Sequence, residues 1–394
     1  MQTPIRLLVV IASAATLLRS YAQPFNSGST GALGDLVVEK TKTLDLPPDG
    51  VFHCKKVTIA PGAILTFRRN ALNTSAIILA QDDVLIQGTI DLSGLIGTGT
   101  AGGLGGPGGF DGGRPGFGDT PPGSGFGPGG GRGGLRGNEA AAAGAGGFNG
   151  NAGGNSTNFG LAYGNNLLIP LIGGSGGGGT AFYENGGSGY GGGGGGGALL
   201  VASSTRVEFS PKEVSYSIFA AGGPGTSVGN GGSGGAVRIV APVITGSAII
   251  SVQGRELSAY GRVRLDAIDV SGLQRQVEPP FALSIGSVLL ARLNPEPRLD
   301  LVEVAGTAIA EDTASLVQIT LPTGSNPNRT VTVQAKNFGT KIPVEVVLTP
   351  DSGSPVVARV EIDNTSVNPA KLAVPVTFPV NVGVTVNAWA RGKP

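Results

Sequence analysis

Residues 76–94 read AIILAQDDVLIQGTIDLSG, and residues 236–254 read AVRIVAPVITGSAIISVQG. The two align over nineteen residues without a gap, so that Ile90, Leu92 and Gly94 fall on Ile250, Val252 and Gly254. A looser copy starts at Ala198 (ALLVASSTRVEF). A fourth fragment, Arg262–Gly272 (RVRLDAIDVSG), ends in an IDVSG that echoes IDLSG. Apolar residues alternate within each copy, which is the period of a strand and not of a helix. A unit of about twenty residues cannot bury its apolar face alone, whereas stacked copies share one core. These features predict the coils of a parallel β-solenoid. An antiparallel meander that happens to repeat is the competing arrangement.

Outward from the repeat, the chain divides by composition. Residues 23–94 hold short β-branched runs such as Val57-Thr58-Ile59 and Ile64-Leu65-Thr66-Phe67, joined by the turn signal Pro61-Gly62. They are expected to be the first coils. Residues 95–197 form a glycine-rich excursion, and 198–278 resume the coils. In all, 54 of the 71 glycines lie between Gly94 and Gly235. Within that stretch 102–110 reads GGL-GGP-GGF and 130–135 reads GGR-GGL. A three-residue period matches the polyproline-II helix. Glycine at two positions in three lets such helices pack side by side through backbone N–H and Cα–H donors. The region is therefore either a polyglycine-II-like bundle or a disordered excursion. The apolar run Leu167–Ile172 is expected to dock on the folded part as a strand.

Residues 279–298 carry a cluster of prolines and read as a linker. From residue 299 to 394 glycine falls and Val and Thr rise. Strands are predicted at Leu301–Val304, Leu316–Leu321, Thr330–Ala335, Val344–Leu348, Val356–Ile362, Leu372–Phe378 and Val384–Trp389. Seven short strands suit an immunoglobulin-like β-sandwich without its central disulfide. The fold class expected is all-β: a parallel β-solenoid interrupted by a long glycine-rich region and followed by that sandwich.

Composition excludes several chemistries. Charged residues make up 13% of the chain, the formal net charge is +1, and there is one His and one Cys. Such a chain has no electrostatic footprint for nucleic acid. It has no internal disulfide, and no cofactor or metal centre is expected. Residues 1–22 read as a signal peptide. Arg6 is the positive flank, Leu7–Leu18 is too short to span a bilayer comfortably, and Ser20-Tyr21-Ala22 offers the cleavage site. A secreted, extracellular or cell-surface protein is expected, with no transmembrane segment after cleavage.

Three stretches carry a resemblance: Asp49-Gly50-Val51-Phe52 through IDLSG, GGPGGFDGG at 105–113, and GGSGGAVRIVAP at 231–242. Together they resemble a group of uncharacterised, secreted, glycine-rich bacterial proteins. That resemblance implies a bacterial secreted protein and brings no catalytic residues. The solenoid portion is also similar, more weakly, to right-handed parallel β-helices of the pectate-lyase type. This second similarity concerns architecture, and fold does not fix function.

Motifs for chemistry are sparse. Two GxSxG strings centre on Ser175 and Ser233, both inside polyglycine, and the sole His, His53, precedes them. A nucleophile elbow needs a helix after the serine, and none is predicted. GxGxxG strings arise from composition alone, and no phosphate-binding loop is present. Enzymes on β-helices use clustered acids. Asp82, Asp83, Asp91, Asp266 and Asp269 are the candidates, with Asp91 and Asp269 predicted at equivalent rungs near Arg262 and Arg264. A turn between strands is the simpler account of Asp82-Asp83, and solvated face positions are the simpler account of the others. His53-Cys54-Lys55-Lys56 with Arg68-Arg69 is a small basic cluster that could touch an anionic polysaccharide. Cys54 reads as a small buried residue.

The function expected is a secreted, non-enzymatic structural or adhesive surface protein that works by multivalent contact. Its partners would be extracellular polysaccharide or cell-surface components. The alternatives are a polysaccharide lyase or hydrolase using Asp91, Asp269 and Asp266, and an ice- or surface-binding protein presenting a flat polyglycine face.

Overall fold

The computed structural model describes residues 25–134, 163–181, 189–211, 214–225, 231–255, 258–311, 313 and 315–390. The expected signal peptide lies outside these residues. The first coil supplies β1 (Leu36–Val38) and β2 (Lys42–Asp45). The second supplies β3 (Val51–Cys54), β4 (Val57–Ile59) and β5 (Ile64–Arg68), and the third β6 (Ala76–Ala80), β7 (Val84–Ile86) and β8 (Thr89–Asp91). After the glycine region come β9 (Ala198–Ser203), β10 (Arg206–Phe209) and β11 (Ile218–Phe219). The fifth coil has β12 (Ala236–Val240) and β13 (Val243–Ser251), and the sixth β14 (Arg262–Asp266) and β15 (Leu273–Glu278). All neighbours in these stacks pair in parallel.

The result is a three-faced solenoid. The first face runs β3-β6-β9-β12-β14 and ends on β16 (Leu283–Gly286), which pairs with β14. This last strand falls inside the segment read from its prolines as a linker. The second face is β1-β4-β7-β10 and the start of β13; the third is β2-β5-β8-β11, the end of β13, and β15. Inward residues from all three faces form one core, with Ile59, Leu65, Ile78, Ile90, Leu199, Ile218, Ile239 and Ile250 essentially unexposed. Burying each such side chain contributes about 1.5–3 kcal/mol.

The nineteen-residue repeat is real, but its register shifts at one point. Val84 stacks over Val207 and Ile244, and Ile90 over Ile218 and Ile250, as the gapless alignment requires. On the first face, however, Ile78 stacks over Val201 and Ile239, one residue off that alignment. A strand has period two, so the gapless register would have turned Arg238 into the core. The shift points Arg238 outward and Ile239 inward.

The first face is buried on both sides, which explains the continuous apolar runs of β6 and β9. Leu79, Leu200, Ala202 and Val240 on its outer side pack against Phe25, Leu171, Leu289 and Ala291. Leu168 and Leu171 lie on Ala198 and Ala236, so the 167–172 run docks as expected. It docks as irregular chain and not as a strand.

Most of the described glycines between 94 and 235 are packed. Segment 191–197 runs through the middle of a bundle and hydrogen-bonds to its neighbours with a period of three. The amides of Gly191, Gly194 and Gly197 donate to the carbonyls of Thr98, Leu95 and Leu92. Those of Gly192 and Gly195 donate to Gly113 and Phe110. The carbonyls of Gly192 and Gly195 accept from Gly103 and Gly106, and those of Gly193 and Gly196 from Gly177 and Gly174. A β-carbon on Gly195 would sit 1.9 Å from the Gly174 carbonyl oxygen, and one on Gly194 2.2 Å from that of Leu104. Only hydrogen fits there, so the composition is a packing requirement.

The C-terminal unit comprises β17 (Arg298–Val304), β18 (Thr307–Ala308), β19 (Asn328–Lys336), β20 (Lys341–Pro350), β21 (Val356–Asp363), β22 (Ala370–Thr377) and β23 (Val384–Ala390). Two antiparallel sheets, β18-β17-β19-β22 and β21-β20-β23, enclose Val331, Val333, Val344, Val346, Leu348 and Val374 as an immunoglobulin-like sandwich. One expected strand is absent. Leu316–Leu321 is irregular, with Leu316 85% exposed, while Ile319 and Leu321 lean on the core. The edge beside β17 is taken by β18, through a two-residue turn with positive φ at Ala305 and Gly306.

Candidate functional site

The structure separates the acids that the sequence suggested as a site. Asp266 is fully buried on the outer side of the first face. Its carboxylate accepts from Arg238 Nη2 at 3.2 Å and Arg264 Nη2 at 2.7 Å, and from the Val288 amide at 3.1 Å. Arg238 in turn donates to the Ala291 carbonyl at 3.2 Å. The cluster therefore clamps the 287–292 segment against the solenoid. Asp83 pairs with Arg206 at 2.7 Å on the next coil.

Asp91 and Asp269 do not share a rung. Asp91 lies level with Phe219 at the end of the third face, whereas Asp269 bridges to Val243 at the start of the second. The echo between IDLSG and IDVSG has a local cause. In each, the aspartate Oδ1 accepts the amide of the serine two residues on, Ser93 or Ser271, at 2.8 Å. The motif encodes a turn and places it at different points of the coil. Ile90 is core, but Ile268 is 74% exposed.

The two GxSxG serines meet inside the glycine bundle. The Ser175 amide donates to Ser233 Oγ at 2.7 Å, and the Ser233 amide to the Ser175 carbonyl at 3.0 Å. Both serines have no exposed surface. Ser175 Oγ donates to Tyr163 Oη at 3.1 Å, and Tyr163 donates to the Gly173 carbonyl at 2.5 Å. His53 Nδ1 accepts from the Thr30 amide at 3.2 Å. The serines act as stitches between glycine strands, shut off from any substrate. Cys54 is buried in the solenoid core, and burial, reinforced by Asp35, pushes its thiol up to about 11.

A different constellation forms on the third face. Asp91, Phe219, Ser251 and Glu278 stand on one ladder, each on the next strand. Their neighbours Ile90, Ile218, Ile250 and Val277 point into the core, so these four point away from it, and Ser251 is itself covered, with 1% of its surface exposed. The ring of Tyr216 stacks on Phe219 at 4.9 Å and 26°. Its hydroxyl donates to Glu278 Oε2 at 3.0 Å. Gln253 Nε2 donates to the same oxygen at 3.4 Å, and Gln276 Nε2 to Oε1 at 3.2 Å. Burial, together with the Glu278 charge, holds the Tyr216 phenol above its ordinary range, so it stays a donor. Three residues beyond Glu278, Phe281 is half exposed and meets Tyr260 edge-on at 5.3 Å.

These residues went unnoticed in the sequence because their partners come from three coils. The available signal was the alternation around Ile218, which leaves Phe219 outward between two core residues.

Spacing decides what the ladder can do. Three strand separations put the backbones of Asp91 and Glu278 about 14 Å apart. Paired glycosidase carboxyls stand about 5–9.5 Å apart. Away from the ladder, where the 163–173 segment docks on the first face, a cavity of about 10 Å³ beside Tyr163, Leu168 and Arg262 has room for about one water. An open groove of about 720 Å³ lies on the sandwich beside Arg329, Val357 and Pro375. No family model, curated protein or solved structure matches the chain.

Proposed function

We propose that the chain is a secreted, non-enzymatic structural or adhesive surface protein that works by multivalent contact. The observation that carries this reading is the outward ladder of the third face. It is a row of side chains held at strand spacing on a backbone whose other side is solid core. Side chains fixed in this way lose little freedom on binding, so many weak contacts can add. The glycine bundle supports the same reading. It packs onto the end of the coils and gives the sandwich a firm base: Trp389 meets Phe110 edge-on at 5.1 Å, and Ser352 Oγ donates to the Pro121 carbonyl at 3.0 Å.

The test is binding of the purified chain to bacterial cells and to immobilised extracellular polysaccharide, with release of sugar products followed in the same samples. Saturable binding without product formation is the expected result. Product formation abolished by Asp91→Asn would replace this reading with an enzymatic one.

A further inference from the structure

We propose that the third face is a binding platform for a neutral polysaccharide, built on Phe219 and Tyr216 with Gln253, Gln276 and Glu278. The proposal rests on the surface-contact reading above and names its partner. A pyranose ring has an apolar face of C–H groups and a rim of hydroxyls. The stacked Tyr216–Phe219 pair offers an aromatic surface to the first. Glu278 and the two glutamines offer the second what it needs. A carboxylate has about four lone-pair sites, and three are engaged by Tyr216, Gln253 and Gln276. The glutamine amides retain acceptor oxygens and a second N–H each. Fixed polar groups of this kind beside an aromatic surface define orientation and specificity.

Two features define the ligand further. The ladder carries a carboxylate at each end, Asp91 and Glu278, against one cation, Arg255, whose charge reaches Tyr216; the net negative charge disfavours a uronate polymer and leaves neutral hexose or pentose chains. The ladder is also about 14 Å long, and the Tyr260–Phe281 pair extends the aromatic surface beyond Glu278. That length spans several rings, so a chain lying along the solenoid axis fits better than a single sugar.

The experiment is native electrophoresis of the full mature chain in gels containing soluble β-glucan, galactomannan or, as the anionic polymer, polygalacturonate. At least one neutral polymer should retard the protein and polygalacturonate should not. Phe219→Ala should weaken the retardation at least tenfold in a protein that still unfolds in one cooperative transition well above the temperature of the gel, and Glu278→Gln should weaken it as well. Phe219→Trp should retain binding and change its fluorescence when the polymer is added. Equal retardation of wild type and Phe219→Ala overturns the proposal, as does stronger retardation by polygalacturonate. Absence of retardation by every polymer also overturns it. If the protein then still binds cells, only the platform has failed. If cell binding is absent too, the surface-contact reading fails with it.

Discussion

Asp266 sits between Arg238 and Arg264, with its two carboxylate oxygens divided between the two guanidiniums at 3.2 and 2.7 Å. All three side chains are buried, and desolvation draws Arg238 below its ordinary range despite the nearby carboxylate. Removing one member of such a group strands the others in a dry interior, at a cost of about 3–5 kcal/mol. Asp266→Asn should therefore lower the solenoid's stability to urea by that amount. Asp91→Asn, on the outward ladder, should change it by no more than about 0.5 kcal/mol. Equal small effects would show that the cluster is not a clamp.

Gly195 and Gly99 make a matched pair for the glycine bundle. A β-carbon at Gly195 meets a carbonyl oxygen at 1.9 Å, whereas nothing lies within 4 Å of one at Gly99. Gly195→Ala should destabilise by at least about 1–3 kcal/mol, the usual cost of overpacking, and Gly99→Ala should be neutral. In the wild type, hydrogen exchange should find the amides of Gly191, Gly192, Gly194, Gly195, Gly196 and Gly197 protected, since their partners are backbone carbonyls. Exchange of these amides within seconds would contradict the packing.

The solenoid was legible because its core positions alternate with polar ones on the second and third faces. The first face was harder. AIILA at 76–80 has no polar residue to set its register, because both sides of that strand are covered, and the gapless alignment ran one residue off. The three-residue period showed how glycine helices could pack. It could not say that Ser175 and Ser233, 58 positions apart, face one another. The third-face platform was hidden for a related reason. Tyr216 and Glu278 are 62 positions apart, and only the stacking of coils brings them together. Asp269 misled because a turn motif was read as a rung motif.

Burial also predicts two titration results. With its thiol pushed up to about 11, Cys54 should resist thiol reagents in the native protein at neutral pH and react fully in denaturant. Burial likewise pushes the Tyr163 phenol from its ordinary value of 10.0 to about 12, against hydrogen bonds from Ser175 and Ser233. The folded state thus prefers the neutral phenol. Its contribution to stability is whole below pH 10 and is lost as pH rises from 10 towards 12. Tyr163→Phe should flatten that part of the stability profile, and an unchanged slope would sink the assignment.

The docking of the sandwich can be read from one fluorophore. Trp389 is the only tryptophan, so emission reports its surroundings alone. It meets Phe110 edge-on at 5.1 Å, and the next residue, Asp111, is held by Arg69 of the solenoid at 2.7 Å. An aromatic pair of this geometry contributes about 0.5–1.5 kcal/mol beyond its buried area. Phe110→Ala should shift the emission to the red and raise acrylamide quenching, while the sandwich core around Val331 and Val346 keeps its own melting transition. Arg69→Ala should produce a smaller shift in the same direction, because it frees Asp111 without removing the ring. Emission that is unchanged in Phe110→Ala would mean that the sandwich stands free of the glycine bundle in solution.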